Sequence, residues 1–203
     1  SFLLTASKKI GKKSLKNVWS IEGGKETLVI TSVTPKTVEE ILTLERKLSL
    51  SKYICGKDPN QVYDEFIECE GVEIVPFKGC VQLKDSVFIF ERKALSDLDD
   101  ADVLKKYRKL SAIKRIVLFL KVLEKVAGLH RKGIIHSNIK PRTIVTKDSE
   151  LQEIELMDLS CAGTKRSGFN GGSKIFIPPE VWNGQKVLRA QIDIYALAIT
   201  FLI

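Results

Sequence analysis

His136, Asn138, Lys140, Thr143 and Asp158 are the residues whose types and spacing bear on chemistry. Four of them lie in one stretch, His136-Ser137-Asn138-Ile139-Lys140-Pro141-Arg142-Thr143. An imidazole can act as a general base, but it can equally pack in a core and bond backbone. The Lys140 ammonium can contact a phosphate or sit on a surface loop. The Asp158 carboxylate can ligate magnesium or cap the turn that follows it. Asn138 is a neutral amide and cannot take a proton. The Thr143 hydroxyl is a poor magnesium ligand beside an amide oxygen. The stretch therefore pairs polar groups suited to holding a loop with few suited to reacting. The cysteines, Cys55, Cys69, Cys80 and Cys161, form no C-x-x-C pair that would complete a zinc site with His130 and His136. They read as thiols of a reducing compartment, so an intracellular, cytoplasmic location is expected.

The elements that must position this stretch follow from pattern. Lys25 to Val33 holds a β-branched run after the turn signal Gly23-Gly24. Pro35 opens a helix predicted over Thr37 to Leu50, with apolar Val38, Ile41, Leu42 and Leu48. Ser51 to Glu70 reads as a polar connection. Two strands are predicted near Ile74–Leu83 and Val87–Glu91, split by Lys84-Asp85. Ile113, Ile116, Val117, Leu120, Leu123 and Ala127 recur at helical spacing and predict the strongest helix, about Ser111 to Lys132. Short strands are predicted at Thr143–Val145 and Glu153–Met157, a Gly/Ser/Lys-rich loop from Gly163 to Lys174, and an apolar helix from about Ile192.

The chain has 203 residues, 44% hydrophobic and 29% charged, which suits one good-sized core or two small ones. No apolar run reaches the roughly 20 residues that span a bilayer. The opening Ser-Phe-Leu-Leu is too short for a signal peptide, and without an initiator Met the natural N-terminus is expected upstream. The net charge of +8 gathers at Lys8, Lys9, Lys12, Lys13 and Lys16, and at Lys105, Lys106, Arg108, Lys109, Lys114 and Arg115. Such runs are solvated faces or meet an acidic partner. No aromatic interleaving or nucleic-acid motif accompanies them, so nucleic acid is not expected.

The stretch from His136 to Val145 resembles the protein-kinase catalytic loop, H-R-D-L-K-P-x-N-I-L, with Asn138 at the catalytic Asp and Thr143 at the metal-binding Asn. Other landmarks fall in order. Gly11-Lys12-Lys13-Ser14-Leu15-Lys16-Asn17-Val18 resembles the glycine-rich loop, with Gly11 and Val18 kept and lysines at the two later glycines. Leu28-Val29-Ile30-Thr31 resembles V-A-I-K, with Thr31 at the phosphate-gripping Lys and Val29 crowding the adenine position. Glu45, or else Glu40, stands at the Lys-pairing Glu. Phe90 stands at the gatekeeper and Glu91 at the entry to the hinge. Asp158-Leu159-Ser160 resembles D-F-G, Ile177-Pro178-Pro179-Glu180 resembles A-P-E, and Asp193-Ile194-Tyr195-Ala196-Leu197 resembles the start of helix F. The Asp of that last motif braces the catalytic loop in the family, so Asp193 is expected buried against the His136–Asn138 backbone.

The resemblance implies an α+β, bilobal protein-kinase-like fold. A β-rich N-lobe with one helix would cover 1–92, and a mainly helical, partial C-lobe 93–203. It implies vestigial nucleotide positions at Gly11, Val18, Val29, Glu91 and Val145, and a vestigial metal position at Asp158. It implies no resident cofactor, with at most weak ATP or Mg²⁺ binding. Ser137 replaces the Arg that receives an activation-loop phosphate, so Thr164, Ser167 and Ser173 are not expected to switch the domain in the usual way. The function expected is a catalytically inactive pseudokinase that binds a protein partner, as scaffold or allosteric regulator. The alternatives are an atypical active Ser/Thr kinase in which Lys12, Lys13 or Lys16 replaces the lost lysine, and a structural component of a larger assembly. The chain stops inside the helix-F motif, so the apolar end Ile199–Ile203 is expected to be covered by further chain or by a partner.

Overall fold

The structure is a computed structural model that describes residues 8–13, 16–23, 26–54, 77–83, 85–169, 171–184 and 189–202; side chains are described for 29–54, 80, 85–169, 171–184 and 189–202. The chain divides into two compact units, Ser1–Lys93 and Ala94–Ile203.

The first unit carries an antiparallel sheet in the order β1-β2-β3-β5-β4. Its strands are β1 (Lys8–Lys13), β2 (Lys16–Gly23), β3 (Glu26–Val33), β4 (Phe77–Leu83) and β5 (Ser86–Arg92). The β-branched run in β3 suits a central strand paired on both edges. Helix α1 (Val38–Ile54) starts where Thr37 and Glu40 form a reciprocal cap. The Glu40 N–H donates to Thr37 Oγ1 at 3.2 Å, and Glu40 Oε2 accepts from the N–H of Thr37 at 3.2 Å and of Lys36 at 2.6 Å. Glu40 is thus engaged at the helix start rather than facing the sheet. The helix runs past the predicted Leu50, and Ser51 and Ile54 are buried with Leu44 on one stripe. Ser51 to Ile54 therefore belongs to the helix rather than to the polar connection; the rest of that connection, and residues 74–76 of the predicted strand, lie outside the described residues. Val38, Ile41 and Leu42 mark the helical period but are exposed.

The second unit opens with β6 (Ser96–Asp97), α2 (Ala101–Lys109) and α3 (Ala112–Arg131), then β7 (Ile134–Ile135), β8 (Ile144–Thr146), β9 (Ile154–Leu156) and β10 (Gly163–Thr164). It ends with α4 (Pro179–Trp182) and α5 (Ala190–Leu202). Asp100 caps α2 and Ser111 caps α3 through their side-chain oxygens. Small sheets β6-β8-β9 and β7-β10 flank the stretch from 136 to 143. The core joins Leu118, Val122, Val126 and Leu129 of α3 to Ile134, Ile139, Ile144, Leu156 and Leu159, and Ile192, Ala196 and Leu197 of α5 are also buried. Each such Leu, Ile or Val contributes about 1.5–3 kcal/mol of burial. Phe201 of α5 meets Phe119 and Tyr107 edge-on, with ring centroids at 5.3 and 6.2 Å.

Helix α3 carries apolar residues on most of its sides. The residues that announce it in the sequence, Ile113, Ile116, Val117 and Leu120, form its exposed side, while the buried stripe is Leu118, Val122, Val126 and Leu129. Among the described residues no helix is long and apolar enough to cross a membrane.

Candidate functional site

The stretch His136–Thr143 is held from beneath by Asp193, in the first turn of α5. Asp193 is fully buried. Its Oδ2 accepts from the His136 N–H at 2.8 Å and its Oδ1 from the Ser137 N–H at 2.7 Å. His130 Nε2 lies 2.8 Å from Oδ2 and completes the shell. The expected brace is therefore present. It holds Ser137 in the left-handed region, at φ 62°. The Ser137 hydroxyl is buried without a hydrogen-bond partner among the described residues.

His136 is fully buried, and both ring nitrogens contact backbone. Nε2 lies 3.0 Å from the Met157 carbonyl, and the Asn138 N–H points at Nδ1 at 3.4 Å. One tautomer serves both contacts: Nε2–H donates and Nδ1 accepts. This places His136 in the fold rather than in proton transfer.

Around Asn138 the polar groups form one directed chain. Lys140 Nζ donates to Ser173 Oγ at 2.7 Å, Ser173 donates to Asn138 Oδ1 at 3.1 Å, and Asn138 Nδ2 donates to Asp158 Oδ2 at 3.4 Å. Both ends of the Asn138 amide are thus in use. The approach of Ser173 depends on Gly172: a Cβ there would lie 2.6 Å from the Ser137 carbonyl oxygen, which a side chain cannot occupy.

Thr143 is buried, and its hydroxyl is committed to backbone. It accepts from the Lys140 N–H at 3.0 Å, and its own proton is shared between the carbonyls of Asn138 and Lys140, each at 3.0 Å. Asp158 sits in the left-handed region, at φ 68°, and its Oδ1 accepts from the Ser160 N–H at 3.3 Å, which caps the 3-10 turn Leu159–Cys161. In the family whose loop this stretch resembles, a magnesium ion takes an Asp and an Asn oxygen at these positions. The oxygens present are one carboxylate already receiving an amide and a hydroxyl turned to backbone, so this donor set does not fit the ion. Among the described residues no three His, Cys, Asp or Glu side chains converge. On the outer side of the loop Arg142 Nε donates to Asp99 Oδ2 at 2.7 Å; that bond, and then the charge of Asp99, raises the pKa of the guanidinium.

The remaining sequence-predicted positions fall as follows. Val145 is buried in β8 and pairs with Asp97 and Glu155. In the first unit Gly11 and Val18 oppose each other across the β1–β2 hairpin, and Thr31 pairs with Val18 and Ile89. Val29 pairs with Glu91, so Val29, Thr31, Ile89 and Glu91 share one sheet face. Phe90 pairs with Ile30 and lies on the opposite face, so the gatekeeper reading of Phe90 does not fit this register. Glu91 lies near the end of β5, as the predicted strand has it, and the strand runs one residue further, to Arg92. Glu45 is exposed; Lys47 of α1 reaches the sheet, with its Nζ 3.0 Å from Glu91 Oε1. Lys47 stands three residues after buried Leu44 and four before buried Ser51, a spacing that places it on the inward stripe. Sequence reasoning missed Lys47, the bond of His130 to Asp193, and the part of Ser173 in the loop. The stripe position was a usable signal for Lys47. The other two bonds join residues too far apart in the chain for any local pattern.

The comparisons agree with this geometry. A solved crystal structure of a kinase domain superposes with a TM-score of 0.73 over 96% of this chain and 61% of its own, at 16% identity, which speaks to fold alone. The chain is 28% identical over 180 residues to serine/threonine-protein kinase KSP1 of Saccharomyces cerevisiae; the match covers 82% of this chain and only 17% of that much longer relative. The family described as protein kinase domain matches residues 51–203, three quarters of the sequence, including the braced loop, the Asp158 turn and α5. The chain belongs to the protein kinase family and has its α+β fold.

Proposed function

We propose that this kinase-family chain is a catalytically inactive pseudokinase domain that works by binding a protein partner, as scaffold or allosteric regulator. The observation that carries the reading is the state of Asn138. It stands where the family has the proton-accepting Asp, and its amide is spent on Ser173 and Asp158. Phosphoryl transfer depends mostly on positioning and charge neutralisation, so loss of the base alone leaves some rate. Here Thr31 replaces the phosphate-gripping lysine, and the Thr143 hydroxyl serves the loop backbone. Gly11, Val18, Val29, Glu91 and Val145 are read as vestiges of a nucleotide site.

The active-kinase reading has one observation in its favour. Lys47 reaches the sheet face that carries Thr31, which makes it a further candidate to replace the missing lysine. A thermal-shift titration of the full chain with ATP, with and without Mg²⁺ or Mn²⁺, separates the readings. A ligand at about 100 times its Kd stabilises a fold by roughly 2.7 kcal/mol. The inactive reading expects no metal-dependent shift of that size at millimolar ATP, and such a shift would count for the active one. A pull-down then separates a regulator with discrete partners from a fixed part of an assembly.

A further inference from the structure

Lys140 is half-buried, and its ammonium donates to a neutral hydroxyl, Ser173 Oγ at 2.7 Å; among the described residues no carboxylate pairs with it. An ammonium has three donors, so two remain. The chain from Lys140 through Ser173 and Asn138 to Asp158 is directed throughout, with its positive end at Lys140 and its negative end at Asp158. Bonds aligned in this way polarise and strengthen one another, which fixes the position of the Lys140 ammonium beside Ser173. With an aspartate at 138 the position beside Ser173 would carry a negative charge. The amide removes that charge and leaves the cation without a directly paired carboxylate among the described residues.

Charged groups adjoining this chain among the described residues include Lys174, Arg142, Asp158 and, beneath the loop, Asp193. Lys174 adjoins Ser173 and lies over the Trp182 ring at 5.9 Å. Arg142 is taken by Asp99. Asp158 is met by the Asn138 amide and the Ser160 N–H. The same segment exposes apolar surface: Ile175 is 71% and Trp182 55% accessible. A small free anion would leave that surface wet, whereas a peptide covers it.

We propose that Lys140 and Ser173 form a docking site for the carboxylate of a Glu or Asp side chain of a protein partner, with an apolar residue of the same segment covering Ile175 and Trp182. The proposal rests on the partner-binding reading above for its purpose, but its charge argument requires only that residue 138 be neutral. It gives the acidic partner expected from the net charge a defined point of contact.

The test uses arrays of peptides with a fixed central Glu, Gln or phosphoserine and degenerate flanks, probed with the full chain in the absence of nucleotide. A charge-assisted contact predicts retention on the Glu set about tenfold above the Gln set, with apolar residues enriched beside the Glu. Lys140→Met should abolish the preference and Lys140→Arg should keep it. Asn138→Asp, which restores a negative charge beside Ser173, should also abolish it. Melting temperatures of each variant confirm folding; if Lys140→Met does not fold, Asn138→Asp decides. Equal retention of Glu and Gln, or a preference that survives Asn138→Asp, overturns the proposal. Stronger retention of phosphoserine than of Glu overturns the assignment to a carboxylate. Phosphotransfer by the wild-type chain would overturn the inactive reading without changing the outcome of this assay.

Discussion

Asp193 and Asp158 lie on either side of the same loop and are held in different ways. Asp193 is fully buried and gathers two backbone N–H groups and an imidazole at 2.7–2.8 Å. Asp158 takes longer bonds, 3.3 Å from a turn N–H and 3.4 Å from an amide. The first set fixes the loop backbone and the second caps the turn at Asp158. A loop can lose its reactive groups and keep its path, because the path depends on buried N–H donors that must be satisfied wherever the loop goes.

The largest effect that could break this comparison is Asp193→Ala. It leaves the His136 and Ser137 N–H groups unpaired, at about 1–3 kcal/mol each. Denaturant unfolding should show a loss of several kcal/mol, against a much smaller loss for Asp158→Asn, which keeps the cap and the left-handed tolerance. Equal and small losses from both would mean that the loop is not braced as described. Gly172→Ala comes next. The added methyl meets the Ser137 carbonyl at 2.6 Å, and relieving it should cost about 1–3 kcal/mol in thermal or chemical unfolding.

A smaller effect concerns the first unit. The Lys47–Glu91 pair is partly exposed, at 18% and 22%, so its coupling after solvent screening should be about 0.2–1 kcal/mol. A double-mutant cycle measures it, and added salt should reduce it. No coupling at low salt would show that this pair does not tie α1 to the face of Thr31.

The smallest effect is one of pH. Burial works to raise the Asp148 pKa, but the N–H groups of Gln152, Glu153 and Glu150 outweigh it, and the carboxyl is held below its ordinary 3.8. A folded-state pKa below the unfolded one gives stability that is present above about pH 4 and lost as pH falls through the folded value. The stability gap between wild type and Asp148→Asn, measured by urea midpoints, should therefore narrow in acid. A constant gap would show that the bonds to Asp148 are not charge-dependent.

Much of the order of elements was legible in local pattern. The β-branched run of β3, the start after Pro35 and the helical recurrence in 113–127 each found their element. The buried face of α3 was not legible, because a helix apolar on most sides offers no contrast to read. In the site, the spacing of His136, Asn138, Lys140 and Thr143 located the loop, but not what each atom is bonded to. Ser173 lies 33 residues from Lys140 and joins it only through the close approach at Gly172. Lys47 was passed over because the family pattern directs attention to an acidic residue on that helix, whereas here the helix supplies the cation and β5 the carboxylate.

The most direct test of the account is radiolabelled phosphotransfer from ATP, to itself and to generic protein substrates, by the wild-type chain and by Asn138→Asp. Thr31 and Thr143 remain in both, so restoring the single carboxylate should leave both without transfer above background. Robust transfer by the wild type would contradict the inactive reading outright. Robust transfer by Asn138→Asp alone would show that the phosphate and metal positions are still competent.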